Sequence, residues 1–161
     1  MCAIVGFVVK EHNIHLKFKG NSKLIVTNHV TNFDHLAIDL VIPCIVPGVW
    51  DLPKFLNWSL GFHDFDVVRG RDQLIHNVRK HLVVDDAVPI LTHPEGATTN
   101  GRVGLLKFST WPFSLDCPVN PIAITVTRSP PIKISPTVLG SRWWSDLFWI
   151  MLTPWTTFNL R

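Results

Sequence analysis

The chain has 161 residues, 47% hydrophobic and 17% charged, with a formal net charge of +3. That length suits one domain with a real core, and a charge this weak, with no Lys/Arg cluster interleaved with aromatics, excludes nucleic acid as a partner. Seven Trp and ten Phe stand beside no Tyr, more aromatic surface than one core needs and a hint of an apolar exterior.

Cys2, Cys44 and Cys117 are odd in number and widely spaced. They argue against a disulfide framework and a cysteine zinc site, and fit a reducing, cytosol-facing compartment. No secretory leader is expected. No apolar run reaches the roughly 18 residues of a spanning helix, and the greasiest stretch, Leu40 to Trp50, is broken by Pro43 and Pro47.

Ala3 to Val9 reads as a strand or short helix that begins abruptly, as though sequence preceded it. Ile14 to Lys19 alternates strictly and reads as a half-exposed strand. Leu24-Ile25-Val26 reads as a short buried strand, and Leu36 to Ile42 as a helix of a turn or two. Between them lies Asn28-His29-Val30-Thr31-Asn32-Phe33-Asp34. His29 thus sits where a strand hands over to a helix, with Asp34 in the helix's first turn. An imidazole that takes a proton needs an anion on its far nitrogen, and this turn can fold the Asp back under the His. Taken alone, His29 reads first as a turn histidine and Asp34 as a first-turn carboxylate favoured by the helix dipole; the stretches downstream reverse that reading.

Helix breakers Pro43, Pro47, Gly48 and Pro53 follow, then an apolar helix across Lys54 to Phe62. Phe65 to Arg69 reads as a strand ending in a cation. Asp72 is the expected N-cap of a helix to about Leu82, with Leu74, Ile75, Val78 and Leu82 on one face. Val88 to Thr92 reads as a buried strand stopping at His93-Pro94-Glu95-Gly96. A loop with an Asn100-Gly101 turn leads to a short helix over Leu105 to Trp111. Val119 to Val126 is a strand with Pro121 near its start, and Thr127 to Pro136 an extended connector. In the last helix, Ser141 to Leu152 with Ser141 as cap, Trp144, Leu147, Phe148, Met151 and Leu152 share a face that Trp143 and Trp149 extend. That face is expected to pack on the sheet; the alternative is a helix lying in a membrane interface, with Arg142 and Arg161 meeting headgroups. Thr156 to Leu160 closes the chain as a strand.

Strands alternating with helices argue for an α/β sandwich whose sheet is mixed but mostly parallel and flanked by helices, as one domain over residues 1–161. In such sheets reactive groups gather at strand ends, where His29, Arg69 and Glu95 fall. Singly, Arg69 is a solvated strand-end charge, Glu95-Gly96 a loop pair and Pro121 an edge residue.

In this order, Asn28-His29 with Asp34, Phe65 to Arg69, Pro94-Glu95-Gly96 and Val119-Asn120-Pro121-Ile122 resemble the four motifs of the phospholipid/glycerol acyltransferase family, over about residues 23–128. The resemblance implies a glycerolipid acyltransferase-like sandwich that transfers a fatty acyl group from acyl-CoA to a lysophospholipid or related acceptor. It implies His29 as the base, Asp34 as its orienting acid, and Asn28, Arg69, Glu95, Gly96 and Pro121 as substrate-binding residues. Arg69 would meet the acceptor's phosphate, Glu95 and Gly96 its glycerol part, and Pro121 would shape the acyl site. Neither metal nor cofactor is expected, since acyl-CoA is a substrate. Two departures stand out: His93 replaces the family's Phe, and Ala97-Thr98-Thr99 replaces Thr-Arg-Ser, which displaces a phosphate-binding Arg.

Val68-Arg69-Gly70-Arg71, Thr99-Asn100-Gly101-Arg102, Gly104 to Ser109, Trp111 to Ser114 and the Trp-rich segment before Pro154 resemble one branch of that family more closely, nearly end to end. The branch sits monotopically on the cytosolic face of the endoplasmic reticulum and on lipid droplets. It carries an upstream apolar hairpin, a downstream ubiquitin-binding module and a segment that recruits a ubiquitin-conjugating enzyme, all regions expected to lie outside this chain. The alternative function is therefore a droplet and reticulum scaffold in ubiquitin-dependent degradation, its acyltransferase fold weak or idle.

Overall fold

The computed structural model describes residues 6–12, 22–48, 53–102, 106–128, 135, 137 and 142–161. Its centre is β2 (Leu24–Thr27), four residues that are all buried. An unbroken apolar run suits a parallel strand covered on both faces. β2 pairs in parallel with β5 (Ile90–Thr92) on one side and β6 (Val119–Ile122) on the other. After Ala123 the chain continues as β7 (Ile124–Arg128), antiparallel to β8 (Thr156–Leu160), which in turn lies parallel to β1 (Phe7–Glu11). Ala123 exchanges both backbone bonds with Arg161, at 2.8 and 3.0 Å, so the run from β6 to β7 joins the two three-stranded sheets. Ile45, flanking β3 (Val46–Pro47), bonds to Pro89 and Leu91 beside β5, and β3 pairs in parallel with β4 (Phe62–His63). The mixed, mostly parallel sheet is as expected from the sequence.

Alternation along β2 and β5 sends side chains to opposite faces. Ile25 and Leu91 join one core with α1 (Asp34–Asp39), α4 (Trp143–Leu152), β1 and β8 through Ala37, Ile38, Ile150, Phe7 and Phe158. Leu24, Val26 and Ile90 join the other with Leu74 and Val78 of α3 (Arg71–Leu82), Phe65 and Leu115. Each fully buried aliphatic or Phe side chain contributes about 1.5–3 kcal/mol, so helices are held on both faces of the sheet.

Several elements differ from expectation. Phe65 to Arg69 is not a strand. Asp66 adopts the left-handed φ of 59° and accepts no extended continuation, so Val67–Arg69 curls into a 3-10 turn. Asn77 of α3 donates to the Phe65 carbonyl at 3.0 Å and fixes that bend. Gly70, at φ 106°, is the N-cap of α3, and Asp72 falls in its first turn. α1 carries Asp34 in its first turn as expected but ends at Asp39 rather than Ile42, and the Asp39 carboxylate turns to the Cys44 N–H at 3.0 Å. α2 covers only Lys54–Ser59 and buries none of its residues. The helix expected over Leu105 to Trp111 is absent from residues 106–111, and a 3-10 turn forms instead at Pro112–Leu115, where Pro is suited to a first turn. The strand expected at Ile14 to Lys19, the Ser141 cap and most of the connector lie outside the described residues.

The last helix faces the opposite way from expectation. Trp144, Phe148, Trp149, Met151 and Leu152 are exposed, while Asp146 and Ile150 are buried. Asp146 accepts the Thr137 hydroxyl at 2.6 Å. Ile150 fills the core beside Phe158, Phe7 and Ile124. A helix apolar nearly all round has no preferred apolar face. The side that faces in is the one that carries Ile150 into the core and Asp146 to its buried partner.

Candidate functional site

The site forms where β2 ends. Asn28 donates from Nδ2 to the Ile124 carbonyl at 2.9 Å and accepts the Ile124 N–H on Oδ1 at 2.7 Å. A side-chain amide thus continues the pairing between β2 and the β6–β7 run, and the Asn28 backbone is released to turn. His29 follows. Its N–H donates to Glu95 Oε2 at 3.3 Å and its carbonyl accepts the Thr99 N–H at 2.8 Å. The loops after β2 and β5 are thereby tied together through the His29 backbone.

His29 Nδ1 lies 3.1 Å from Asp34 Oδ2, and the imidazole is 21% exposed over a carboxylate that is 0% exposed. Asp34 also accepts the Val30 N–H at 2.5 Å, the Thr31 N–H at 2.9 Å and the Thr31 hydroxyl at 2.6 Å. Burial pushes the Asp34 carboxyl up, but its hydrogen bond and charge interaction with His29, the His93 ring and the Thr31 hydroxyl outweigh this and hold it below the ordinary range. If Nδ1 carries its proton toward Asp34, Nε2 is left with a lone pair, which is the arrangement that a general base requires.

His93 stacks on His29 with ring centroids 4.2 Å apart and planes 17° apart. Burial first, then the neighbouring His29, lowers its pKa to about 3, so the ring is neutral near pH 7. A polar ring therefore serves as a flat packing surface in the position where the resembled family carries Phe. Behind the dyad, His35 packs on Phe62 at 4.9 Å, and burial lowers it to about 4 against the opposing pull of Asp34.

Of the residues singled out in the sequence, His29, Asp34 and Glu95 are joined by hydrogen bonds, and Gly96 follows Glu95 at φ 68° with open space on its side-chain side. Asn28 is present too, but both its amide atoms are engaged with Ile124. Arg69 is 72% exposed and pairs with Asp66 at 3.8 Å; no hydrogen bond or ion pair joins it to His29, Asp34 or Glu95. Pro121 is exposed on β6, in register with Val26. Sequence reasoning missed Thr31, Thr99 and the stacking role of His93. Thr31 was legible as a hydroxyl three positions before the acid, whereas Thr99 needs a contact between distant loops. Gly101 turns that loop at φ 68°, a left-handed conformation that favours glycine. Among the described residues no group of His, Cys, Asp and Glu is arranged to hold a metal ion.

Fold and geometry define the class: an α/β domain with a His–Asp pair at the carboxyl end of a central parallel strand. The chain is 39% identical over 161 residues to the lipid droplet-regulating VLDL assembly factor AUP1 homolog of Caenorhabditis elegans, covering 100% of this chain and 40% of that protein. It is 37% identical over 161 residues to lipid droplet-regulating VLDL assembly factor AUP1 of Xenopus laevis, and 35% over 163 residues to that of Homo sapiens, again along 100% of this chain but 39% and 38% of those proteins. The chain thus spans about two-fifths of the length of these curated relatives. No family model matches it, and no solved structure does.

Proposed function

We propose that this chain is a lipid-droplet-associated domain with an acyltransferase-like framework, acting chiefly as a scaffold. The carrying observation is its alignment, end to end, with proteins named as lipid droplet-regulating. In this reading the tightly bonded turn at residues 28–34 serves first to hold the domain's shape. The ubiquitin-dependent partnership suggested by resemblance belongs to regions outside these residues.

The His29–Asp34 pair favours a second reading, acyl-CoA-dependent O-acylation. His29 Nε2 would take the proton of an acceptor hydroxyl as that oxygen attacks the thioester carbonyl. Collapse of the adduct would form the ester, break the carbon–sulfur bond and return the proton to the departing CoA sulfur. General-base assistance of this kind contributes about 10²–10⁴-fold. Glu95 and Gly96 would lie against the acceptor's glycerol, Pro121 and its strand would shape the acyl site, and Arg69 would meet a phosphate.

One experiment separates the two. Cells lacking the full-length protein are loaded with fatty acid and supplied with wild type or His29→Ala, and droplet number and size are measured. Equal rescue supports the scaffold. Rescue by wild type alone, with transfer of labelled acyl-CoA to a lysophospholipid that His29→Ala abolishes, supports catalysis. Failure of wild type to alter droplets overturns the droplet reading.

A further inference from the structure

From the outward side of α4 we infer a seat for a phospholipid surface, in which the helix lies flat with Trp144, Phe148, Trp149, Met151 and Leu152 against the lipid and Trp155 beyond its end. This deepens the droplet reading by naming the face and the chemistry it meets.

Trp144 is 71% and Phe148 57% exposed, and Trp149, Met151, Leu152 and Trp155 are exposed as well. The desolvation of so many large apolar groups is left incomplete by the fold, and a contiguous stretch of this kind marks an interaction site. The composition identifies the occupant. Indoles favour the headgroup boundary, where a flat ring meets both hydrocarbon and water. Between Trp144 and Trp155 the only ionisable side chain is Asp146, and it is buried against Thr137. The outward side therefore carries no charge that hydrocarbon would have to desolvate. The charge that remains suits lipid phosphate: Arg142, exposed, immediately precedes the helix, and the chain is net basic. Ten residues make a helix of about 15 Å, half the roughly 30 Å hydrocarbon thickness. No helix among the described residues is long and apolar enough to cross a membrane. A helix this short, held to the sheet by Ile150 on one side and turning its aromatics outward on the other, can meet lipid only by lying along its surface.

The test uses the purified 161-residue chain with phosphatidylcholine vesicles, with the same vesicles containing phosphatidylserine, and with triolein emulsions coated by phosphatidylcholine. Co-flotation is measured for wild type, for the double variant Phe148→Ser/Trp149→Ser, for Arg142→Gln, and for Val68→Ser as a surface control. Thermal unfolding confirms that each variant is folded. Wild type and Val68→Ser are expected to float, with the double variant at least about tenfold weaker and Arg142→Gln weakened on the serine-containing vesicles. Flotation of the double variant at the wild-type level overturns the seat, as does failure of wild type to float. Sedimentation showing a wild-type dimer that the double variant dissolves also overturns it, since the occupant is then a second copy. Loss of flotation with droplet rescue intact removes this seat and leaves the droplet reading standing; flotation without any droplet effect does the reverse.

Discussion

The turn at residues 28–34 and the helix α4 are the two most conspicuous stretches of the sequence, and the structure uses them in opposite ways. The turn is polar, yet it is buried and bonded: Asp34 alone accepts from His29, Val30 and Thr31. The helix is apolar, yet most of its side chains face outward, and its one carboxylate faces in. A polar group in the interior must find partners of fixed geometry, whereas apolar side chains accept any surface that excludes water. Directional chemistry therefore shows in the spacing of residues, and hydrophobicity does not show which neighbour will cover it.

Acid is the strongest way to break this contrast. His93 and His35 have folded pKa values lowered to about 3 and about 4 from 6.5. Between those values and 6.5 the unfolded chain binds protons that the folded chain does not, so stability falls as pH drops below 6.5. The slope is about 1.4 kcal/mol per pH unit per ring, down to about 4 for His35 and about 3 for His93. Asp34, held below its ordinary value of 3.8, contributes stability above that value and loses it as pH falls through its folded pKa. Urea unfolding measured from neutral pH to pH 4 should lose several kcal/mol. His93→Phe, which keeps a ring on His29, should flatten the slope, and α4 variants should leave it unchanged.

Asp34→Ala comes next. It leaves two backbone N–H groups and a hydroxyl buried without their acceptor, at a cost of about 3–5 kcal/mol by denaturant titration. Asn28→Ala removes two bonds to Ile124 and should cost about 1–3 kcal/mol. That loss would appear without any substrate, and an unchanged midpoint would return Asn28 to a purely binding role. His29→Ala should cost about 1 kcal/mol or less, because Asp34 keeps its other donors. A large loss there would mean that the ring is structural rather than available to a substrate. The smallest effect belongs to α4: Phe148→Ser should change stability by no more than about 0.5 kcal/mol, as expected of an exposed side chain. A loss of several kcal/mol would show that this side packs against protein after all.

The dyad was legible because both partners lie within one turn, so its geometry is local. The buried strands at β2 and β5 were legible for the same reason, as was the strand at β8. Arg69 shows the limit. Its segment reads as a strand, but the left-handed Asp66 and the reach of Asn77 from α3 curl it away. Asn28 looks like a group waiting for a ligand, and it is occupied by Ile124 from a strand distant in sequence.

The mixed α/β class, the buried runs that become β2 and β5 and the meeting of His29 with Asp34 were determined by sequence alone, because each rests on periodicity or on bonds within a few residues. Tertiary structure decided that Asn28 and Glu95 tie the strand ends together, that His93 lies flat on His29, and that α4 turns its aromatics outward. Those outcomes depend on which groups far apart in sequence the folded chain brings within bonding distance, and residue spacing carries no information about that.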